Sequence, residues 1–442
     1  MKRTSQACDL VLWLGSLIGR QESESGKGFP ATAERAISKS MGYSRWAITA
    51  VLGLLMAASS FGQVKGLYSY TAGQAMLPAV ATTASSSRSS YIVTMSMAGP
   101  GETMELRAWN DAGGYLVRIG TANWTPGTGP SAFAYAIATL DANRVVAAYA
   151  DESSNLYVGV WMVGATNPSP FYLQGMGSTT ASGSLGPAYG AGLAITALSA
   201  TEVVTAAVDP AGNLRVQTWA IDAYGDVALQ NTEVGGGILN VFMTAINSTQ
   251  VATAVDSNDG DSVIRVWQIG TGGAITKQGD YSLTGANNIT TGIALAPLGG
   301  LLGNYEVMTS YAHNIVSKGV PVGTELQVRS WGISSAGNVT IGQTGTDANG
   351  AFESAIAWTP GLNPVTVSME NTSGGTTESA AEAWKYNATS WSVSSSTNIT
   401  EVTNPGSITL VSEGTSGGVN YYVAAFPDSS GNLRVEVLSY TP

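Results

Sequence analysis

The chain holds one cysteine, Cys8, and one histidine, His313, in 442 residues. Beyond position 8 there is therefore no disulfide, no thiol nucleophile and no thiolate metal site. One histidine cannot build a His-rich metal centre. Charge is scarce as well: 11% of residues carry it, against roughly 25% in an average globular domain. Lys and Arg are the rarer sign, 19 against 30 Asp and Glu, for a formal net charge of -11. No basic patch exists to neutralise phosphates, which argues against a nucleic-acid partner. No Gly-x-Ser-x-Gly elbow, phosphate-binding loop or His-Glu-x-x-His motif occurs. Apolar runs are short too. The run from Trp46 to Ala58 falls below the roughly 20 residues of a spanning helix.

What fills the chain is Gly (54 residues), Ser and Thr, with Val, Ile, Leu, Tyr and Trp recurring regularly among them. Regular apolar recurrence separates this composition from a disordered one. It reads as all-β, with short β-branched strands joined by Gly, Ser, Asn and Asp turns.

Residues 1–40 match nothing that follows. Met41-Gly42-Tyr43-Ser44-Arg45, the apolar run and Ser60-Phe61-Gly62 before Gln63 have the layout of a signal peptide. The expectation is that translation starts at Met41, that 1–40 is a non-conforming extension, and that 41–62 is cleaved. The mature chain, 63–442, would then be secreted, extracellular or periplasmic, without a membrane span.

From residue 64 the chain repeats itself. In Val203 to Trp219 an apolar run meets Asp209-Pro210-Ala211-Gly212-Asn213, and a second alternating run ends in Trp. That is a β-hairpin, and it recurs seven times, ending at Trp109, Trp161, Trp219, Trp267, Trp331, Trp384 and, with Leu in the Trp place, Leu438. Ala/Thr/Gly-rich runs such as 134–139 and 194–198 precede the hairpins. Weaker strands such as 227–233 and 274–281 follow them. Four strands in about 50 residues, seven times, predict a seven-bladed β-propeller of four-stranded antiparallel blades. The small-residue runs suit the crowded innermost strands, and the Trp residues suit the wedge between blades. The last repeat lacks a fourth strand, and Val64 to Ala72 is available to complete it. That closure removes an open edge.

Trp at the end of the third strand resembles a WD-type propeller. The following residue is Asn110, Met162, Ala220, Gln268, Gly332 or Lys385, never Asp, and no Gly-His dipeptide opens the repeats. The Asp-x-x-Gly-Asn-Leu turns, Asp209 to Leu214 and Asp428 to Leu433, are more similar to secreted bacterial propellers, lectin-like ones included. The resemblance implies an architecture and transfers no site residues.

Several residues are candidates for chemistry. Asp151, Asp209, Asp256 and Asp428 recur at one place; they either ring one face or simply open turns by bonding their own backbone. Asp256-Ser257-Asn258-Asp259-Gly260-Asp261 clusters oxygens that could take calcium, through Asp256, Asn258, Asp259 and Asp261. It departs from the EF-hand pattern in the place of its Gly and the absence of a closing Glu. The longest hairpin, Tyr311 to Glu325, carries Tyr311, His313 and Lys318, and insertions on a regular scaffold often carry function. The six repeat Trp residues read as core between blades. Trp124, Trp358 and Trp391 break the pattern and are freer to stack on a ligand.

The leading reading is a secreted, non-enzymatic binding protein with repeated shallow sites for carbohydrate or another surface polymer, needing no cofactor. A polysaccharide hydrolase or lyase using two carboxylates and a structural module of the cell envelope are the alternatives. Nothing in the sequence sets the oligomeric state.

Overall fold

The computed structural model describes residues 63–442, apart from 75, 84–90, 98–103, 112–114, 125–131, 152, 166–170, 182–191, 258–260, 284–288, 299–304, 318–319, 348–349, 360–362, 372–376, 388 and 402–407. The expected leader, residues 1–62, lies outside the described residues. Among them the structure is strand throughout, save one short 3-10 turn at Thr271–Gly273. No helix among them is long and apolar enough to cross a membrane.

The strands run β1 (Gln63–Gln74), β2 (Met76–Thr82), β3 (Tyr91–Met97), β4 (Met104–Asp111), β5 (Leu116–Trp124), β6 (Ala132–Thr139), β7 (Arg144–Asp151), β8 (Leu156–Ala165) and β9 (Phe171–Ala181). Next come β10 (Leu193–Ser199), β11 (Glu202–Val208), β12 (Asn213–Ile221), β13 (Val227–Asn247), β14 (Gln250–Ser257), β15 (Ser262–Ile269) and β16 (Ile275–Leu283). The chain continues through β17 (Ile289–Pro297), β18 (Tyr305–Ser317), β19 (Val320–Ile333), β20 (Val339–Asp347), β21 (Gly350–Ala357), β22 (Val365–Asn371), β23 (Thr377–Tyr386) and β24 (Trp391–Glu401). It ends with β25 (Thr409–Ser416), β26 (Val419–Pro427) and β27 (Asn432–Thr441).

These strands form six antiparallel sheets, five of four strands and one of seven, β10 to β16. The seven-stranded sheet exists because β13 serves twice. Its first half pairs with β12 up to Gly237, and its second half, from Ile238, pairs with β14. The sequence marks 227–233 as a strand of its own; the structure continues it through Gly235, Gly236 and Gly237 to Asn247. Counted by pairing among the described residues, the strands make seven four-stranded groups: β2–β5, β6–β9, β10 to the first half of β13, its second half to β16, β17–β20, β21–β24, and β25–β27 with β1.

Alternation explains the hairpins. In β11, Val203, Val204, Ala206, Ala207 and Val208 are all buried, and in β12 Leu214, Val216 and Trp219 are buried. Both faces of a repeat are covered by neighbouring repeats, so strands read as near-continuous apolar runs. Trp219 packs with Val146, Ala148 and Val158 of the preceding repeat, and Trp384 likewise with Met308, Ala312 and Leu326. The turns follow the Asp reading. Asp209 Oδ1 accepts from the backbone N–H of Ala211 and Asn213, with Gly212 at φ 78°. Asp428 does the same for Ser430 and Asn432, and Asp151 for Ser153 and Asn155.

The first strands of the repeats touch in a closed cycle, β2, β6, β10, β13, β17, β21, β25 and back to β2. Their small side chains permit this crowding. This cyclic arrangement is that of a β-propeller. Hydroxyls tie the seam between the last and first repeats. Thr82 Oγ1 donates to Ser412 O at 2.9 Å, and Thr409 Oγ1 to Pro78 O at 3.2 Å. β1 pairs antiparallel with β27 from Gln63↔Thr441 to Gln74↔Asn432, so the first described strand completes the last repeat.

Candidate functional site

Each repeat's third strand carries its Trp toward the preceding repeat, and strand alternation puts the residue two places earlier on the same side. Buried indole N–H groups need an acceptor. In five repeats a Thr on the second strand supplies it: Trp109 Nε1 donates to Thr94 Oγ1 at 3.0 Å, Trp219 to Thr205 at 2.9 Å, Trp267 to Thr253 at 3.0 Å, Trp331 to Thr309 at 3.0 Å and Trp384 to Thr366 at 2.8 Å. A β-bulge in the fourth strand faces every one of these tryptophans. The residues directly opposite are Arg118, Leu229, Lys277, Ile341 and Val393. Two places before the Trp stand Arg107, Gln217, Arg265, Arg329 and Glu382.

The second repeat, β6–β9, departs at all three places. Ala147 stands where the others have Thr, and Trp161 Nε1 is buried with no hydrogen-bond partner. Gly175 stands opposite Trp161, and a Cβ there would lie 3.2 Å from Cζ3 of the indole. Gly159 stands two places before it. A Cβ at Gly159 would lie 2.9 Å from Cζ2 of Trp124, reached from β5 of the first repeat. Glycine is required there because the indole occupies the space of a side chain.

Trp124 and Trp161 meet edge to face, ring centroids 5.7 Å apart and planes at 72°. Trp124 also meets Tyr149 at 4.7 Å and 86°, and Tyr149 stacks on Tyr157 at 4.8 Å. Tyr157 donates its hydroxyl proton to Asp151 Oδ2 at 2.9 Å. Burial pushes the Tyr149 phenol well above its ordinary value, with the Tyr157 and Asp151 charges adding to it. Beside this cluster lies a cavity of about 240 Å³ lined by Trp124, Gly159, Val160, Trp161, Gly175, Met176, Gly177 and Ser178. Two indoles wall it, with Gly159, Gly175 and Gly177 along it. No charged side chain is among these lining residues.

Of the sequence candidates, Trp124 lines this recess. Trp124 expected to be free is buried at 7% exposure, because Gly159, 35 positions away in sequence, makes room for it. Trp391 is buried too, tilted against Tyr386 at 5.2 Å, so it packs rather than stacks on a ligand. Trp358 is half-buried. Tyr311 is buried at 3% exposure and donates to Gln327 Oε1. It lines a cavity of about 10 Å³ with Ser262, Thr309 and Trp331, room for one water and no larger ligand. His313 is half-buried with Nδ1 3.1 Å from Glu325 Oε1. It lies on β18 within the long hairpin: β18 and β19 pair from His313↔Glu325 to Ser317↔Val320, with one irregularity between Ile315 and Val316. Lys318 lies outside the described residues. So do Asn258 and Asp259 of the calcium candidate; of its other members, Asp256 accepts from Ser262 Oγ at 3.3 Å, and burial raises its carboxyl. Among the described residues no three carboxylate, His or Cys groups gather to hold a metal. The recess at Trp161 escaped the sequence reading, which took Trp161 as one more blade tryptophan. The signal was present in Ala147, Gly159 and Gly175, but it shows only when the repeats are superposed strand by strand.

No family model matches the chain, and no curated protein matches it. Solved structures do. AofleA from Arthrobotrys oligospora is 10% identical, with a TM-score of 0.45, over 76% of this chain and 89% of that one. The SapL1 lectin in complex with alpha methyl fucoside is 12% identical, with a TM-score of 0.42, over 75% and 98%. The Swd1 β-propeller domain of Myceliophteria thermophila is 8% identical, with a TM-score of 0.48, over 86% and 99%.

Proposed function

We propose that this chain is a non-enzymatic carbohydrate-binding protein, a seven-bladed propeller that is exported through residues 41–62 and works outside the cytoplasm on a glycan or surface polymer. The observation that carries this reading is the recess between the first two repeats, with Trp124 and Trp161 on its walls and Gly159, Gly175 and Gly177 along it. The C–H face of a sugar ring packs on an indole, and its hydroxyls seek nearby backbone groups; a concave apolar site with few polar groups meets both needs. The lining residues include no carboxylate and no histidine, so the recess supplies no acid–base pair for glycoside cleavage.

The test is a glycan array probed with residues 63–442, followed by calorimetric titration of the hits and a reducing-end assay on the same glycans. Binding without release of reducing ends is expected. An array with no hits, together with no retention on cell-wall polysaccharide, would remove the carbohydrate reading. Release of reducing ends would replace it with the hydrolase.

A further inference from the structure

The repeats of one chain serve as alignments of each other, and three coordinated departures fall in one cleft. We infer that the chain has a single sugar site, confined to the second repeat, and that it accepts a neutral pyranose ring and rejects acidic sugars. This rests on the carbohydrate reading above and goes further, since that reading by itself is compatible with a site in every repeat.

Three features of the cleft restrict the site to one copy. Where a repeat has Thr on its second strand, the indole N–H is spent inside the protein, as at Thr205 and Trp219. Where a side chain stands opposite the Trp, it occupies the place from which a ligand would approach, since a Cβ at the Gly175 position already lies 3.2 Å from the ring. Where Arg, Gln or Glu stands two places before the Trp, its side chain fills the cleft. Arg107 is 4% exposed and Glu382 0%. Only the second repeat lacks all three. Its buried indole N–H has no partner within the protein, Gly175 leaves the ring without a side chain opposite it, and Gly159 has admitted Trp124 as a second wall.

The chemistry of the walls selects the ligand. No Lys, Arg or His lines the recess to pair with a carboxylate or sulfate, and burying an unpaired charge is costly. The chain's charge of -11 adds long-range repulsion. The volume of about 240 Å³ lies below the ~300–1,000 Å³ of sites for drug-sized ligands. It suits one ring, such as the terminal residue of a glycan, and not an oligosaccharide lying along the groove.

The experiment titrates residues 63–442 with the methyl glycosides of glucose, galactose, mannose, fucose and N-acetylglucosamine, and with glucuronic and sialic acid, and counts bound ligand by native mass spectrometry. One neutral glycoside bound per chain is expected, with no acidic sugar bound. Ala147→Thr restores the acceptor found in five other repeats and should weaken that glycoside about tenfold or more while the melting temperature holds or rises. Ala424→Thr, at the same place in the last repeat, should leave binding unchanged. Several ligands per chain, an acidic sugar bound as tightly, or Ala147→Thr binding like the parent would each overturn the single-site inference while leaving the carbohydrate reading intact. No binding of any glycoside overturns both.

Discussion

Glu353 gives the stability of this protein one pH-dependent contribution. It lies on β21, in the crowded ring of first strands, and burial lifts its carboxyl from the ordinary 4.5 to about 7, although a hydrogen bond to the Ile408 backbone pulls the other way. At 1.36 kcal/mol per pH unit that lift corresponds to about 3 kcal/mol. Partial solvent contact trims the expectation to ~2 kcal/mol. The sign follows from which state holds the proton. Below pH 4.5 both states are protonated and nothing is lost. Between 4.5 and about 7 the unfolded chain releases its proton while the folded one keeps it, so stability falls as pH rises. Above about 7 the folded carboxylate is charged and the loss is complete. Glu353→Gln keeps the shape and removes the titration. Thermal melts of parent and variant at pH 4, 6 and 8 should coincide at pH 4 and separate at pH 8, the variant melting on the order of 2–4 °C higher. Glu202 and Glu306, also raised by burial, act on both proteins alike and cancel in the difference. A separation that is the same at all three pH values, or a variant that melts lower at pH 8, would refute the reasoning.

Thr205→Val should cost about 1–3 kcal/mol in chemical denaturation by leaving the buried Trp219 N–H without an acceptor. Deleting residues 63–74 exposes the edge of β27 and removes the buried Val64, whose burial is worth ~1.5–3 kcal/mol. Light scattering on warming should show aggregation well below the parent's melting point. Gly345→Ala puts a Cβ 2.5 Å from the Trp391 carbonyl oxygen of the neighbouring repeat. A backbone atom cannot swing away, so a loss of about 1–3 kcal/mol is expected from the same denaturation measurement.

Much of the fold was legible because it is local. The hairpin from Val203 to Trp219 needs only alternation and an Asp turn, and the structure pairs Val208 with Leu214 across it. The sharing of β13 was not legible. Gly235, Gly236 and Gly237 follow the run at 227–233 with no alternation to carry a strand onward, yet glycine also lets another chain approach closely. Here the Arg265 guanidinium of the next repeat lies 3.2 Å from where a Gly235 Cβ would stand. The burial of Trp124 was illegible for a related reason. Its own surroundings in sequence are polar, and what buries it is the absence of a side chain on β8. His313 was legible as part of the longest hairpin, whose two strands pair through it at His313↔Glu325.

Gly66 tests whether a glycine in a cleft is enough to suggest a site. It faces Leu438, the residue in the Trp place of the last repeat, as Gly175 faces Trp161. A Cβ at Gly66, however, would lie 2.8 Å from Glu436 Oε1, so the repeat's own residue two places before the Leu already fills that space. Arg434 Nε holds the same carboxylate at 3.3 Å. That cleft is closed by an ion pair, and with Leu438 in the Trp place it offers no indole N–H. The second repeat has glycine at both places at once, so nothing on its own third strand can close the gap. Trp124 from the neighbouring repeat narrows it without filling it. A single glycine in these repeats is thus a packing solution. Paired with Gly159, and with Ala147 facing Gly159 on the neighbouring strand, it leaves the recess between Trp124 and Trp161.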